Sequence, residues 1–235
     1  MPRPLILLTR PTAASERVAL SLKDLGAPIL KAPLQAIEPS GIFPDLSLDE
    51  LIITTSAHAA AIVAYGRRLD GFKAAVVGER SAQIMTNAGA DVRFTCPTAT
   101  DLVQAISSAG KSEPCHYLRG KFTSVNLEEM LKNAGLETHS TQIYTQRPLP
   151  PGRDLQDALR GDIPLIVPLY SARSAGLMDD VIEQVAVHAK LVAVCISDQV
   201  AERCWSPSWM QRQVAQAANG PAMIKEIRRA WAELH

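Results

Sequence analysis

The chain is written twice. Thr55-Ser56-Ala57-His58-Ala59-Ala60 closes one apolar run, and Tyr170-Ser171-Ala172-Arg173-Ser174-Ala175 closes another 115 residues later. Upstream, LKDLG at Leu22–Gly26 is echoed by LKNAG at Leu131–Gly135. Downstream, AVVGERSA at Ala75–Ala82 pairs loosely with AVCISDQVA at Ala193–Ala201. A repeat of half the chain length is too long for a solenoid unit and points to two similar lobes that hold a sizeable ligand between them. The 235 residues leave about 100 for each lobe, enough for a core of its own.

Within each copy, short apolar runs alternate with helical patterns. Strands are expected at Leu5–Thr9, Pro28–Ala32, Leu51–Thr54, Ala74–Val77, Asp91–Phe94, Cys115–Leu118, Leu165–Tyr170 and Leu191–Ile196. Helices are expected at Ala14–Leu25, Ala57–Tyr65, Ser81–Ala88, Asp101–Ser107, Leu127–Ala134, Ala175–His188, Asp198–Cys204 and Pro221–Leu234. This alternation predicts an α/β fold, with parallel sheets covered on both faces. Gly26, Gly89 and Gly135 each follow a helical stretch, where a left-handed terminating residue is expected. Pro168, inside an apolar run, cannot donate a ladder hydrogen bond, so that strand either pairs on one side only at this point or begins later.

Two proline-rich stretches break the rhythm, Ala32–Pro44 and Gln142–Asp154. Read as linker strands at 36–44 and 141–149, they divide the chain into a discontinuous lobe, 1–35 with 150–235, and a continuous lobe, 45–140. The expected architecture is two similar parallel-sheet α/β lobes joined by a two-stranded linker.

Composition excludes several classes. Lys plus Arg and Asp plus Glu both number 24, so there is no global positive field for nucleic acid, and any anion site must be local. The apolar run after Met1 is too short for a secretion signal or a membrane span, which predicts a cytoplasmic protein. Cys96, Cys115, Cys195 and Cys204 form no Cys-x-x-Cys, and no histidine stands at metal-ligand spacing, so reduced packing thiols and no metal are expected. The first strand leads into Leu8-Thr9-Arg10-Pro11 instead of a glycine-rich turn, which argues against a dinucleotide. Gly120-Lys121 lacks the rest of a phosphate loop. Cys115 and His116 are strand neighbours whose side chains point to opposite faces, which disfavours a nucleophile pair.

What survives is a set of polar strand ends. In an open parallel sheet the ligand crevice lies beyond the carboxyl ends of the strands. Those ends carry Thr9-Arg10, Thr55-Ser56, Gly78 with Ser81, Arg119-Gly120-Lys121, Tyr170-Ser171 with Arg173, and Ser197 with Gln199. Each precedes a helical segment, whose unpaired N–H groups and positive dipole end favour anions by about 0.3–1 kcal/mol. Ser56, Ser81 and Ser171 also have the chemistry of helix N-caps, and Asp198 is expected to cap the helix that it opens. Together with Arg10, Arg119, Lys121 and Arg173, these ends suit a polyanion.

In that order and spacing, Leu8–Pro11, Pro33-Leu34, Ile37–Pro39, Thr55-Ser56, Val76–Glu79 with Ser81-Ala82, Tyr117–Gly120, Ile143-Tyr144, Tyr170–Ala175 and Cys195–Ser197 resemble the uroporphyrinogen-III synthase family over nearly the whole chain. The resemblance implies a cofactor-free cyclisation of hydroxymethylbilane, a linear polycarboxylate tetrapyrrole, with loss of water and inversion of ring D. It further implies that Tyr144 assists departure of the hydroxyl, that the strand-end residues bind substrate, and that substrate passes on from the preceding pathway enzyme. No nucleic acid or membrane partner is expected, and with no assembly motif a monomer is expected. A non-catalytic two-lobed module that clamps an anionic metabolite would show the same repeat and strand ends.

Overall fold

The computed structural model describes residues 3–42, 44–65, 67–110 and 113–234. Phe43, in the first proline-rich stretch, and Met1-Pro2, at the N-terminal run, lie outside them. The chain divides into two compact units, Met1–Ala36 with Arg147–His235, and Ile37–Gln146.

The first unit is built on a five-stranded sheet of β1 (Leu5–Leu8), β2 (Ile29–Lys31), β9 (Leu165–Leu169), β10 (Leu191–Cys195) and β11 (Trp209–Val214). The strand order is β11-β10-β9-β1-β2, and all recorded pairs are parallel. Side chains alternate between its faces with period two. Leu7, Leu165, Val167, Leu191 and Ala193 pack on one side under α6 (Arg153–Arg160) and α7 (Ala172–Gln184). Ile6, Leu8, Ile166, Val192 and Val194 pack on the other with α1 (Thr12–Ser21) and α9 (Gly220–Leu234). Each fully buried aliphatic side chain contributes about 1.5–3 kcal/mol, so a sheet covered on both faces uses nearly every strand position.

The second unit carries a six-stranded sheet of β3 (Gln35–Pro39), β4 (Leu51–Thr54), β5 (Lys73–Val77), β6 (Asp91–Cys96), β7 (Cys115–Gly120) and β8 (Thr138–Pro148). Their order is β3-β8-β7-β4-β5-β6. Ile52, Ala74, Val76 and Leu118 face α2 (Ala57–Ala64) and α3 (Glu79–Asn87). Leu51, Ile53, Ala75 and Tyr117 face α4 (Ala99–Ser108) and α5 (Leu127–Asn133). No helix among the described residues is long and apolar enough to cross a membrane.

Several expectations shift at element ends. The first helix stops at Ser21 and gives way to a 3-10 turn, Lys23–Leu25, closed by Gly26 in the left-handed region. The last turn of α7 ends at Gln184, and α8 spans only Asp198–Ala201. Helix α6 and strand β11 carry no expectation from sequence. β8 begins at Thr138, earlier than the linker strand expected from 141, and is hydrogen-bonded beside β3 at the sheet edge. Pro168 lies opposite Val194 of β10, while pairing with β1 ends at Ile166, so its missing N–H falls where the strand is paired on one side.

Candidate functional site

Each sheet has a point where strand order reverses, and ligands of open parallel sheets bind beyond the carboxyl ends there. In the second unit the reversal lies between β4 and β7, in the first between β1 and β9. The predicted residues concentrate at both.

Beyond β4, Thr55 and Ser56 enter α2. Ser56 is the N-cap, its Oγ accepting from His58 N at 3.2 Å. That Oγ also accepts from the phenol of Tyr144 at 3.0 Å. Thr55 Oγ1 lies 3.1 Å from the phenol oxygen of Tyr117. Two buried tyrosines thus present their hydroxyls to consecutive residues of one turn. A shift of register in the ladder between Arg119 and Gly120 sets Gly120 opposite Tyr144. Lys121 N donates to Tyr144 O at 3.0 Å, a backbone bond that ties the residue after β7 to the middle of β8. Gly120 has no side chain to keep the Tyr144 ring away: a Cβ there would sit 2.5 Å from Cζ of Tyr144. Alongside lies an open cavity of about 380 Å³ lined by Tyr117, Arg119 and residues 123–128. Arg119 donates to Ser140 Oγ at 3.4 Å and to Gly120 O at 3.2 Å.

At the reversal in the first unit, the Arg10 guanidinium lies 3.9 Å from the centroid of the Tyr170 ring, an arrangement in which cation and ring stabilise each other. Thr9 is buried beside it, and its Oγ1 has no hydrogen-bond partner. Ser171 caps α7 in a reciprocal capping box with Ser174. Arg173 lies in the first turn of α7 and lines a second open cavity, of about 330 Å³, with Asp180, Arg203 and Trp205.

Residues 16–225 match the family model of uroporphyrinogen-III synthase HemD. The chain belongs to this family. Uroporphyrinogen-III synthase is an enzyme of heme biosynthesis, and membership gives the chain that function and a tetrapyrrole substrate. A comparison with curated proteins finds no match. Among solved structures, the fold is similar to uroporphyrinogen-III synthetase from Helicobacter pylori, at 15% identity over 97% of this chain and 99% of that one, with a TM-score of 0.69. It is also similar to a mutant uroporphyrinogen III synthase from Thermus thermophilus, at 16% identity over 98% and 99% of the two chains, with a TM-score of 0.53.

For a synthase, the protonation of these groups matters. Burial pushes the Tyr144 phenol above its ordinary pKa, with the Ser56 hydrogen bond pulling the other way. Burial does the same to Tyr117 against the Thr55 contact, and to Tyr170 against Arg10. All three phenols keep their protons at neutral pH. Hydrogen bonds from Lys132 and then Ser140 hold the Glu128 carboxyl below its usual range. Glu128 also lines the cavity beside Arg119, so the local field there is mixed rather than purely positive.

Of the remaining predicted residues, all but Lys121, which follows β7, stand one strand away from a reversal. Gly78 (φ 82°) is the N-cap of α3, and its N–H is taken by Cys96 O at 2.9 Å. Ser81 is a correction: α3 opens at Glu79, so Ser81 is a buried residue inside the helix and not its cap. A residue with positive φ was needed to turn from β5 into α3, and glycine takes that position. Ser197, in extended backbone, is the N-cap position of α8. Asp198 is the first helical residue, which corrects its expected role as cap; as an anion in the first turn it still meets the positive end of the helix. Gln199 is exposed on α8, and Lys121 Nζ lies 5.6 Å from the Phe122 ring centroid.

Sequence reasoning missed Tyr117 as a partner of Thr55. Its only visible signal was an apolar strand with a tyrosine two positions before Arg119, and the contact depends on the β4–β7 register.

Proposed function

We propose that the chain closes hydroxymethylbilane to uroporphyrinogen III as a cofactor-independent lyase, with Tyr144 as the proton donor to the leaving hydroxyl. One observation carries the assignment of Tyr144: its phenol is buried, keeps its proton, and is fixed by Ser56 at the strand-order reversal of its sheet.

The chemistry follows from the substrate. The C–O bond of the terminal hydroxymethyl group breaks with electron donation from its pyrrole, and the oxygen takes the Tyr144 proton and departs as water. General-acid assistance of this kind contributes ~10²–10⁴-fold. The substituted carbon of ring D attacks the resulting azafulvene cation, giving a spiro intermediate that fragments and recloses with ring D inverted. Loss of the ring proton restores the pyrrole and returns a proton to the phenolate. Unaided, the same substrate closes without inversion, so holding it in the inverting conformation is the larger task. In this reading Arg10, Arg119, Lys121 and Arg173 receive carboxylates, and the hydroxyls of Thr9, Thr55, Ser171 and Ser197 and the backbone near Gly78 and Gln199 add weaker contacts. Ser81, buried inside α3, supports this turn from within. The protein acts as a monomer that takes its labile substrate from the preceding enzyme.

The family match favours this catalytic reading over a module that only binds an anionic metabolite. The deciding experiment adds purified protein to freshly made hydroxymethylbilane, oxidises the products and separates the porphyrin isomers. Isomer III is expected to predominate. Isomer I at the spontaneous rate would overturn the proposal.

A further inference from the structure

The amino end of the six-stranded sheet holds a cluster that this reaction does not use. Glu50 immediately precedes β4, His116 is the second residue of β7, and His139 is the second residue of β8. These strands are neighbours, and the parallel ladder pairs His116 with His139. Paired positions of adjacent strands project to the same face, so two imidazoles and a carboxylate converge. His116 Nδ1 lies 3.4 Å from Glu50 Oε2, and His139 Nε2 lies 3.5 Å from Glu50 Oε1. The two rings are 4.0 Å apart, and the three potential ligand atoms all lie within 4.8 Å of one another.

His116 is the most informative member. Its side chain is only 4% exposed. Nε2 is 2.8 Å from Thr141 Oγ1, while the buried Nδ1 has no hydrogen-bond partner. When Nε2–H donates to Thr141, Nδ1 turns a lone pair toward the Glu50 carboxylate, and two electron-rich groups face each other. A cation bound by both groups relieves this. Ligand atoms around a tetrahedral zinc ion with bonds of ~2.0–2.1 Å stand roughly 3.4 Å apart, close to the separation of His116 Nδ1 and Glu50 Oε2.

We propose that Glu50, His116 and His139 bind a divalent transition-metal ion, Zn²⁺ being the best match, with Thr141 orienting His116 from outside the ligand set. Two imidazoles and a carboxylate suit zinc and leave a coordination position for water. A hydrogen bond from the second ring nitrogen of a ligating histidine is the usual means of fixing its tautomer. The site lies about 13 Å along β7 from Gly120, by the rise of a parallel strand. The ion therefore ties the starts of β4, β7 and β8 together and touches no group at the carboxyl end of the sheet. This inference is independent of the proposed reaction.

The test is titration of the untagged, metal-stripped, full-length protein with Zn²⁺ and, for spectroscopy, Co²⁺. The expected result is one ion per chain, Co²⁺ d–d bands without thiolate charge transfer, and a Tm that climbs with Zn²⁺ concentration as mass action requires. His139 is half exposed, so His139→Ala should fold and lose this binding. Thr141→Val should weaken it by ~10–100-fold, as loss of an outer-shell partner does. Failure of the wild-type protein to take up Zn²⁺ would overturn the proposal. So would undiminished binding by both His139→Ala and Glu50→Gln, or a thiolate band in the Co²⁺ spectrum.

Discussion

A methyl group on Gly120 would stand 2.5 Å from Cζ of Tyr144. The last residue of β7 is therefore the floor on which the Tyr144 ring lies, and the ring cannot stay there once that floor is raised. Gly120→Ala should displace the phenol from Ser56 and cost about 1–3 kcal/mol of stability, the range for overpacking. The rate of isomer III formation should fall at least as far as in Tyr144→Phe. Thermal denaturation and a discontinuous rate assay on the two variants check this, and a Gly120→Ala protein with wild-type turnover would refute it.

Tyr144→Phe removes the proton donor and leaves the ring in place. The rate should fall by about 10²-fold, the lower end of what a general acid contributes, and isomer III should still exceed isomer I because the substrate is still held. Isomer chromatography of the products decides. Complete loss of isomer III from a folded variant would mean that positioning is not the larger part of catalysis.

The raised phenol pKa also fixes the sign of a pH effect. Burial favours the neutral, proton-bearing form, so the donor persists to higher pH than a free tyrosine and is lost only as pH rises through the raised value. A kcat profile should show no descending limb attributable to Tyr144 below about pH 10, the unperturbed value. Any such limb at lower pH must survive in Tyr144→Phe.

Asp179 is fully buried in α7. Its carboxylate accepts from Trp209 Nε1 at 2.6 Å, Trp205 N at 2.7 Å and Ser206 N at 3.3 Å. Those three donors hold the segment between α8 and β11 against α7. Asp179→Ala leaves the donors of Ser206 and Trp209 buried without an acceptor, at about 1–3 kcal/mol for each group that water cannot reach. Urea denaturation should show a loss on the order of 3 kcal/mol or more, against a much smaller one for Asp180→Ala on the same helix.

The thiols should differ in reactivity. Cys115 is buried, and burial with Glu113 pushes its pKa up to about 11. Cys96 is only half buried. Brief alkylation of the native protein near pH 8 should label Cys96 first and leave Cys115 unmodified until the protein is denatured, as peptide mass mapping would show.

How much of this was readable beforehand depends on where the information lay. Strands such as Leu51–Thr54 and Leu191–Cys195 are buried on both faces and therefore appear as unbroken apolar runs. β11 escaped notice because Met210, Gln211 and Arg212 are exposed in a row between buried Trp209 and Gln213, and the buried Gln213 donates its Nε2 to Glu233. Helix α6 had a clear signal in Leu155 and Leu159, four residues apart and both fully buried, but the prolines before it made the stretch look like a linker. Strand-end residues such as Ser56 and Arg10 could be named because parallel sheets place ligands at those ends. The pairing of Thr55 with Tyr117 could not, nor could the meeting of Glu50, His116 and His139, because both depend on which strands become neighbours. Spacing along the chain says nothing about that.

The order in which the strands leave the ribosome has its own consequence. The second unit is one continuous stretch, Ile37–Gln146, and all the strands of its sheet have been made once Pro148 is added. β1, in contrast, sits between β2 and β9, and β9 is synthesised only after the whole second unit. Until then β1 and β2 can form no more than a two-stranded ribbon, which is marginal in water and offers an open apolar edge to other nascent chains. The N-terminal strand waits longest for its partner, so slowing elongation between Gln146 and Leu165 should lower the yield of folded protein more than the same delay after Leu191.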